Sequence, residues 1–122
     1  WDVAFNIKCS ESPVAISPSP EWSLDPNLLE EEVKEYRTGI ATDDLTEVVD
    51  GLLDVMYVLA GAIRRHGISA EMAEDIFREI HRSNMTKLDD DGKPVYKDNG
   101  KIGKSANYTK PDLRPIIEKY TK

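Results

Sequence analysis

EVVDGLLDVMYVL, Glu47 to Leu59, is the stretch whose reading decides the fold. At about 100° per residue, Glu47, Asp50 and Asp54 are spaced by three and four and fall within a narrow arc of one helix face. Leu45, Val48, Leu52, Met56, Leu59 and Ile63 take the opposite side. That is helical periodicity. Between Asp43 and Ile63 there are five acids and no Lys or Arg. Unpartnered acids one turn apart repel by roughly 0.3 kcal/mol per pair, so something outside this helix must hold their charge. Further along, VMYVLAGAI is apolar all round, and Tyr57 and Gly61 continue the acidic face, so this half of the helix cannot be a free surface.

Working outward, TDD (Thr42 to Asp44) supplies caps for the helix start, and Arg64, Arg65, His66 and Gly67 are the expected chemistry of its end. Upstream, Asp25 reads as an N-cap and Pro26 as the first residue of another helix, running through Leu28, Leu29, Val33 and Tyr36 and stopping near Gly39. Downstream, Ser69 caps a third helix with Met72, Ile76, Ile80 and Met85 on one face, broken at the DDDG of Asp89 to Gly92. Asn99-Gly100 marks a hairpin, and KPDLRPIIEKY makes one short terminal helix. At the front, Val3, Phe5 and Ile7 are compatible with helix or strand. Pro13, Pro18, Pro20 and Pro26 among serines make Glu11 to Pro26 a loop, in which Trp22 packs on the core or stacks on a base.

The expected architecture is a single all-α domain: an N-terminal segment and loop (1–26), a helical core (27–88) and a C-terminal hairpin-like arm with a short helix (89–122). Its three main helices suit half of a four-helix bundle completed by a second subunit.

With 23 acids against 16 bases, the net charge of −7 argues against a nucleic acid polymer or an anionic membrane as partner. No apolar run approaches the ~20 residues needed to span a bilayer. No signal peptide is visible either, and the lone Cys9 forms no internal disulfide, so a cytoplasmic setting is expected.

On the first helix Glu31 and Glu35 stack one turn apart, with Glu32 about a quarter turn away. Antiparallel packing through a short connection at Gly39–Asp43 lets this acidic face meet that of Glu47, Asp50 and Asp54. By itself a glutamate run is ordinarily a solvated face. Carboxylates converging in a partly buried groove, however, would have some of their pKa values pushed up unless divalent cations sit between them, and oxygen-only ligands suit Mg²⁺ or Mn²⁺.

The paired acidic motifs resemble those of the MazG-like superfamily of all-α nucleoside triphosphate pyrophosphohydrolases, marked by E-E-x-x-E on one helix and E-x-x-D on the next. EEVKE, Glu31 to Glu35, matches the first in full, and Asp54 falls on the last residue of the second. The leading acid of that second motif falls on Gly51, with Asp50 or Glu47 placed to supply a carboxylate instead. The segment from Glu79 to Leu113 is similar to the tail of the phosphoribosyl-ATP-pyrophosphohydrolase-like branch.

The resemblance implies a homodimer, or a dimer of dimers, that cuts a (deoxy)nucleoside triphosphate to the monophosphate and pyrophosphate, as in house-cleaning of surplus nucleotides. It implies Glu32, Glu35, Asp50 and Asp54 as metal ligands and Glu31 or Glu47 as the group that orients or deprotonates water. Arg82, Asn84 and Lys87, with Lys104, Asn107 and Tyr108 of the arm, are implied phosphate or sugar contacts. Phosphoribosyl-ATP hydrolysis is the rival activity, and a helical dimerisation module without chemistry the rival of another class.

Overall fold

The computed structural model describes residues 2–18 and 24–122, leaving aside the side chain of Leu24. Trp22 and Pro20 lie outside the described residues. Four helices are present among the described residues: α1 (Leu24–Ala41), α2 (Leu45–Arg65), α3 (Ala70–Met85) and α4 (Arg114–Tyr120). No strand occurs among the described residues, so the all-α expectation holds. The chain divides into two compact units, Trp1–Ser69 and Ala70–Lys122.

In the N-terminal unit α1 and α2 pack antiparallel. Gly39 lies against Val48, Gly51 against Tyr36, and Asp25 against Arg65, so residue numbers fall along one helix as they rise along the other. Glycine is required at both close points. A Cβ on Gly51 would stand 2.7 Å from the backbone N of Tyr36, and one on Gly39 would stand 2.7 Å from the backbone N of Val48. The reversal between the helices uses Asp43 at φ 52°, and Asp44 then caps α2 by accepting the N–H of Glu47 at 3.2 Å. The TDD reading of this start is therefore met by its last residue.

Asp25 corrects the sequence reading. Helix α1 begins at Leu24, so Asp25 sits inside the first turn and does not cap it. Its two carboxylate oxygens instead accept Nε and Nη2 of Arg65, while Nη1 of Arg65 donates to Asp2 at 3.2 Å. All three side chains are buried: Arg65 is 6% exposed, Asp2 5% and Asp25 4%. Removing one member of such a group leaves a charge stranded out of water, at a cost of about 3–5 kcal/mol.

The front segment is neither helix nor strand. Ile7 donates its N–H to Asp2 and Asn6 to Val3, making turns, and the chain then binds the end of α2 through Ser10 N–H to Arg65 O and Val14 N–H to His66 O. His66 is the C-cap of α2, and Gly67 follows at φ 74°, the terminus chemistry read from the sequence.

In the C-terminal unit α3 stops at Met85, three residues before Leu88, because the N–H of Thr86 is shared between Arg82 and Ser83 carbonyls and tightens the last turn. The arm then folds back on this end. Ser83 Oγ donates to Thr109 O, Ser105 Oγ to Thr86 O, and Thr109 N–H to Thr86 Oγ1. The Asn99-Gly100 hairpin forms with a single antiparallel bridge, Tyr96 to Ile102, and Gly100 at φ 79°. Helix α4 contacts α3, with Tyr120 Oη donating to Asp75 at 2.6 Å.

Glu79 ties the end of the arm to α3. Both its oxygens accept from Arg82, and one also accepts the N–H of Asp112. Arg82 first, then the Asp112 amide, depress its carboxyl from 4.5 to about 2. A depressed acid stabilises the fold fully above its unfolded value and loses that contribution as pH falls from about 4.5 towards 2. Wild type should therefore lose stability over that window more steeply than Glu79→Gln, as read by acid titration of the helical circular dichroism. At the helix seam, Gly51→Ala should destabilise by about 2 kcal/mol in urea titration, since the new methyl meets backbone and not a movable side-chain end.

Candidate metal centre

Glu32 and Glu35 stand one turn apart on α1, and Asp54 faces them from α2. One carboxylate oxygen of each lies within 4.8 Å of the other two. The seam glycines explain the convergence. With no side chain between Gly51 and Tyr36, the helix backbones run close enough for acids on their shared edge to meet.

The environment of Glu32 shows what this costs. Its Oε2 is buried and has no hydrogen-bond partner among the described residues. Burial above all, then the hydrogen bond and charge of Glu35 and the charges of Asp54 and Glu31, hold its carboxyl above the usual carboxylate range. A half-buried acid with an orphaned oxygen, two further carboxylates and no nitrogen or sulfur donor fit a hard divalent cation, Mg²⁺ or Mn²⁺.

The other acids stand around this group. Glu31 is exposed beside Glu32, Glu47 is half-buried in the first turn of α2, and Asp50 is exposed on α2 outside the three-carboxylate cluster. At Gly51 an acid has no room, because the Cβ position already overlaps the backbone of Tyr36.

From the cluster a cavity of about 260 Å³ runs along the seam, lined by Leu28, Glu32, Asp54, Tyr57, Gly61 and Arg65. Asp54, Tyr57, Gly61 and Arg65 are spaced by three, four and four, one stripe of α2. Arg65, read from the sequence only as a helix-terminal base, belongs to this site, and its spacing from Asp54 was the available signal. Asp2 had no such signal, since its pairing spans 63 residues.

The remaining candidates lie in the C-terminal unit. Arg82 is engaged by Glu79, by Thr109 Oγ1 at 2.9 Å and by Lys110 O, and so serves there as a strut. Asn84 is exposed on α3, and Lys87 accepts Ser105 N–H at its carbonyl. Lys104 Nζ lies 4.6 Å from the centre of the Tyr108 ring, and Asn107 donates to Asp90.

A family model described as phosphoribosyl-ATP pyrophosphohydrolase matches residues 10–84, which include α1, α2 and nearly all of α3. No curated protein matches the chain.

The raised carboxyl of Glu32 makes a thermal prediction. An acid with a raised folded value stabilises below its ordinary value and loses that contribution as pH climbs through the raised one, so the metal-free cradle is a liability at neutral pH. Mg²⁺ or Mn²⁺ should raise the melting temperature by about 3 °C or more at pH 8 and by less at pH 5. Glu32→Gln should melt higher than wild type without metal and show no metal shift. Identical melting with and without cations at pH 8 would remove the metal assignment.

Proposed function

Since the chain belongs to the phosphoribosyl-ATP pyrophosphohydrolase family, within the MazG-like nucleotide pyrophosphohydrolases, we propose that it is a Mg²⁺-dependent enzyme cutting a (deoxy)nucleoside triphosphate to the monophosphate and pyrophosphate. Family members are hydrolases of phosphoric anhydride bonds. The observation that carries the finer reading is that Glu32 and Asp54 of the three-carboxylate cradle also line a mostly apolar cavity along the helix seam. A phosphate chain belongs at the acidic end only with divalent cations, and a nucleoside suits the apolar remainder.

Glu32, Glu35 and Asp54 would hold the metal, with Asp50 supporting them from the neighbouring position. When bound, the ion supplies positive charge against phosphate oxygens as the anhydride breaks. Glu31 or Glu47 takes the proton of the attacking water, whose oxygen bonds to phosphorus while pyrophosphate leaves. In this reading Arg82, Asn84, Lys87, Lys104 and Tyr108 make phosphate or sugar contacts.

A second copy of the chain completes the fold in this reading. Met72 is the fully buried large apolar side chain among the described residues, whereas Leu45 is 75% and Met56 62% exposed, with Leu52 and Leu59 also open on α2. An apolar helix face of this extent is covered in solution. No helix among the described residues is long and apolar enough to cross a membrane, and a cytoplasmic dimer, or a pair of dimers, is the form proposed. Phosphoribosyl-ATP is the alternative substrate, on the strength of the family description.

Pyrophosphate release from a panel of nucleoside triphosphates and phosphoribosyl-ATP, with and without Mg²⁺, tests the activity. Release should require the metal, and Asp54→Asn should lower kcat/KM by about 100-fold or more. No release from any member rejects the reading in favour of a non-catalytic dimerisation module. Sedimentation should give at least about twice the 13.8 kDa chain mass, with Met56→Glu shifting it towards the monomer.

A further inference from the structure

The cavity has a second end, and its chemistry differs from the first. Beyond Tyr57 and Gly61 it is closed by Arg65, whose five N–H groups are only partly committed. Nε and Nη2 each give one to Asp25, and Nη1 gives one to Asp2. One N–H on Nη1 and one on Nη2 have no hydrogen bond among the described residues. Both nitrogens lie over Gly61, within 3.0 Å of where a Cβ would stand, so the absent methyl is what lets the guanidinium lie along the cavity wall. Two buried carboxylates, Asp25 and Asp2, hold the side chain in this place.

We propose that Arg65 is the specificity-determining residue of this site, donating hydrogen bonds to a neutral oxygen acceptor on the nucleoside end of a nucleotide whose phosphates lie at Glu32 and Asp54. This rests on the pyrophosphohydrolase reading above and adds to it what the far end accepts.

Charge bookkeeping selects the acceptor. Asp2 is also paired with Arg64 at 3.2 Å, so two guanidinium groups face the two carboxylates of Asp2 and Asp25 and the local net charge is zero. A second phosphate placed here would find N–H groups but no unpaired positive charge to offset its loss of water. A base carbonyl or a sugar hydroxyl needs only the N–H groups. The far end therefore favours a nucleotide with a single phosphate chain over one phosphorylated at both ends.

The test is calorimetric binding, with Mg²⁺, of three probes: a non-cleavable α,β-imido nucleoside triphosphate, inorganic tripolyphosphate, and a nucleotide carrying a further phosphate on its nucleoside end. Arg65→Lys removes the fork but keeps the charge, and Gly61→Ala pushes the guanidinium off the wall while leaving its partners in place. Both should weaken the imido nucleotide by about 10-fold and tripolyphosphate by less than about 2-fold. The doubly phosphorylated probe should bind wild type about 10-fold more weakly than the imido nucleotide.

Unchanged affinity for the imido nucleotide in both variants overturns the proposal, as does equal weakening of nucleotide and tripolyphosphate in protein that melts like wild type. Tighter binding of the doubly phosphorylated probe also overturns it. Should Arg65→Lys fail to fold, Gly61→Ala decides alone. Wild type that binds tripolyphosphate but no nucleotide rejects Arg65 as a reader, whereas wild type that binds none of the three probes rejects the pyrophosphohydrolase reading beneath it.

Discussion

The approach of α1 to α2 across Gly39 and Gly51 is the constraint on which the rest depends. With backbone packed against backbone, side chains on the shared edge have no freedom to stay apart. Glu32, Glu35 and Asp54 are brought together because the helices are close, and their mutual repulsion is opposed by the packing of the seam. The strain is not spread evenly. It is concentrated on Glu32, which has both the orphaned oxygen and the displaced protonation equilibrium.

The same seam carries two opposite electrostatic solutions. At one end Arg64 and Arg65 balance Asp2 and Asp25, and every carboxylate has a cation of the chain itself. Near its middle three carboxylates converge with no Lys or Arg among them. A fold built for stability alone would treat both places alike. Buried ion pairs contribute modest net stability but are costly to break, so the balanced end fixes the geometry while the unbalanced one is left open to a ligand.

Much of this was legible in the sequence, for physical reasons that can be named. The 3.6-residue period of Glu47 to Leu59 gave α2, and the missing bases gave the need for an external cation. The hairpin at Asn99-Gly100 was legible because only a residue tolerant of φ 79° turns the chain there. Asp25 was misread because an Asp before Pro has the local chemistry of a cap, while its actual partner lies 40 residues on. The front segment was undecidable because its short apolar run fits both periods, and the structure gives neither helix nor strand but turns fixed to the end of α2. The lack of space at Gly51 was invisible for a similar reason: the obstacle is the backbone of another helix, and no spacing rule reports it.

In the C-terminal unit, the arm is fastened to α3 by hydroxyls as well as by the charged pair of Glu79 and Arg82. Ser83, Thr86, Ser105 and Thr109 exchange neutral hydrogen bonds at the helix end, whereas α4 meets α3 through the ion pair of Asp75 with Lys119 as well as Tyr120. Dissolved ions shorten the reach of exposed charges and leave neutral donors nearly untouched. Ionic strength thus acts as a selective solvent on this unit, loosening the ion-paired contacts while the hydroxyl contacts at the root of the arm stay seated.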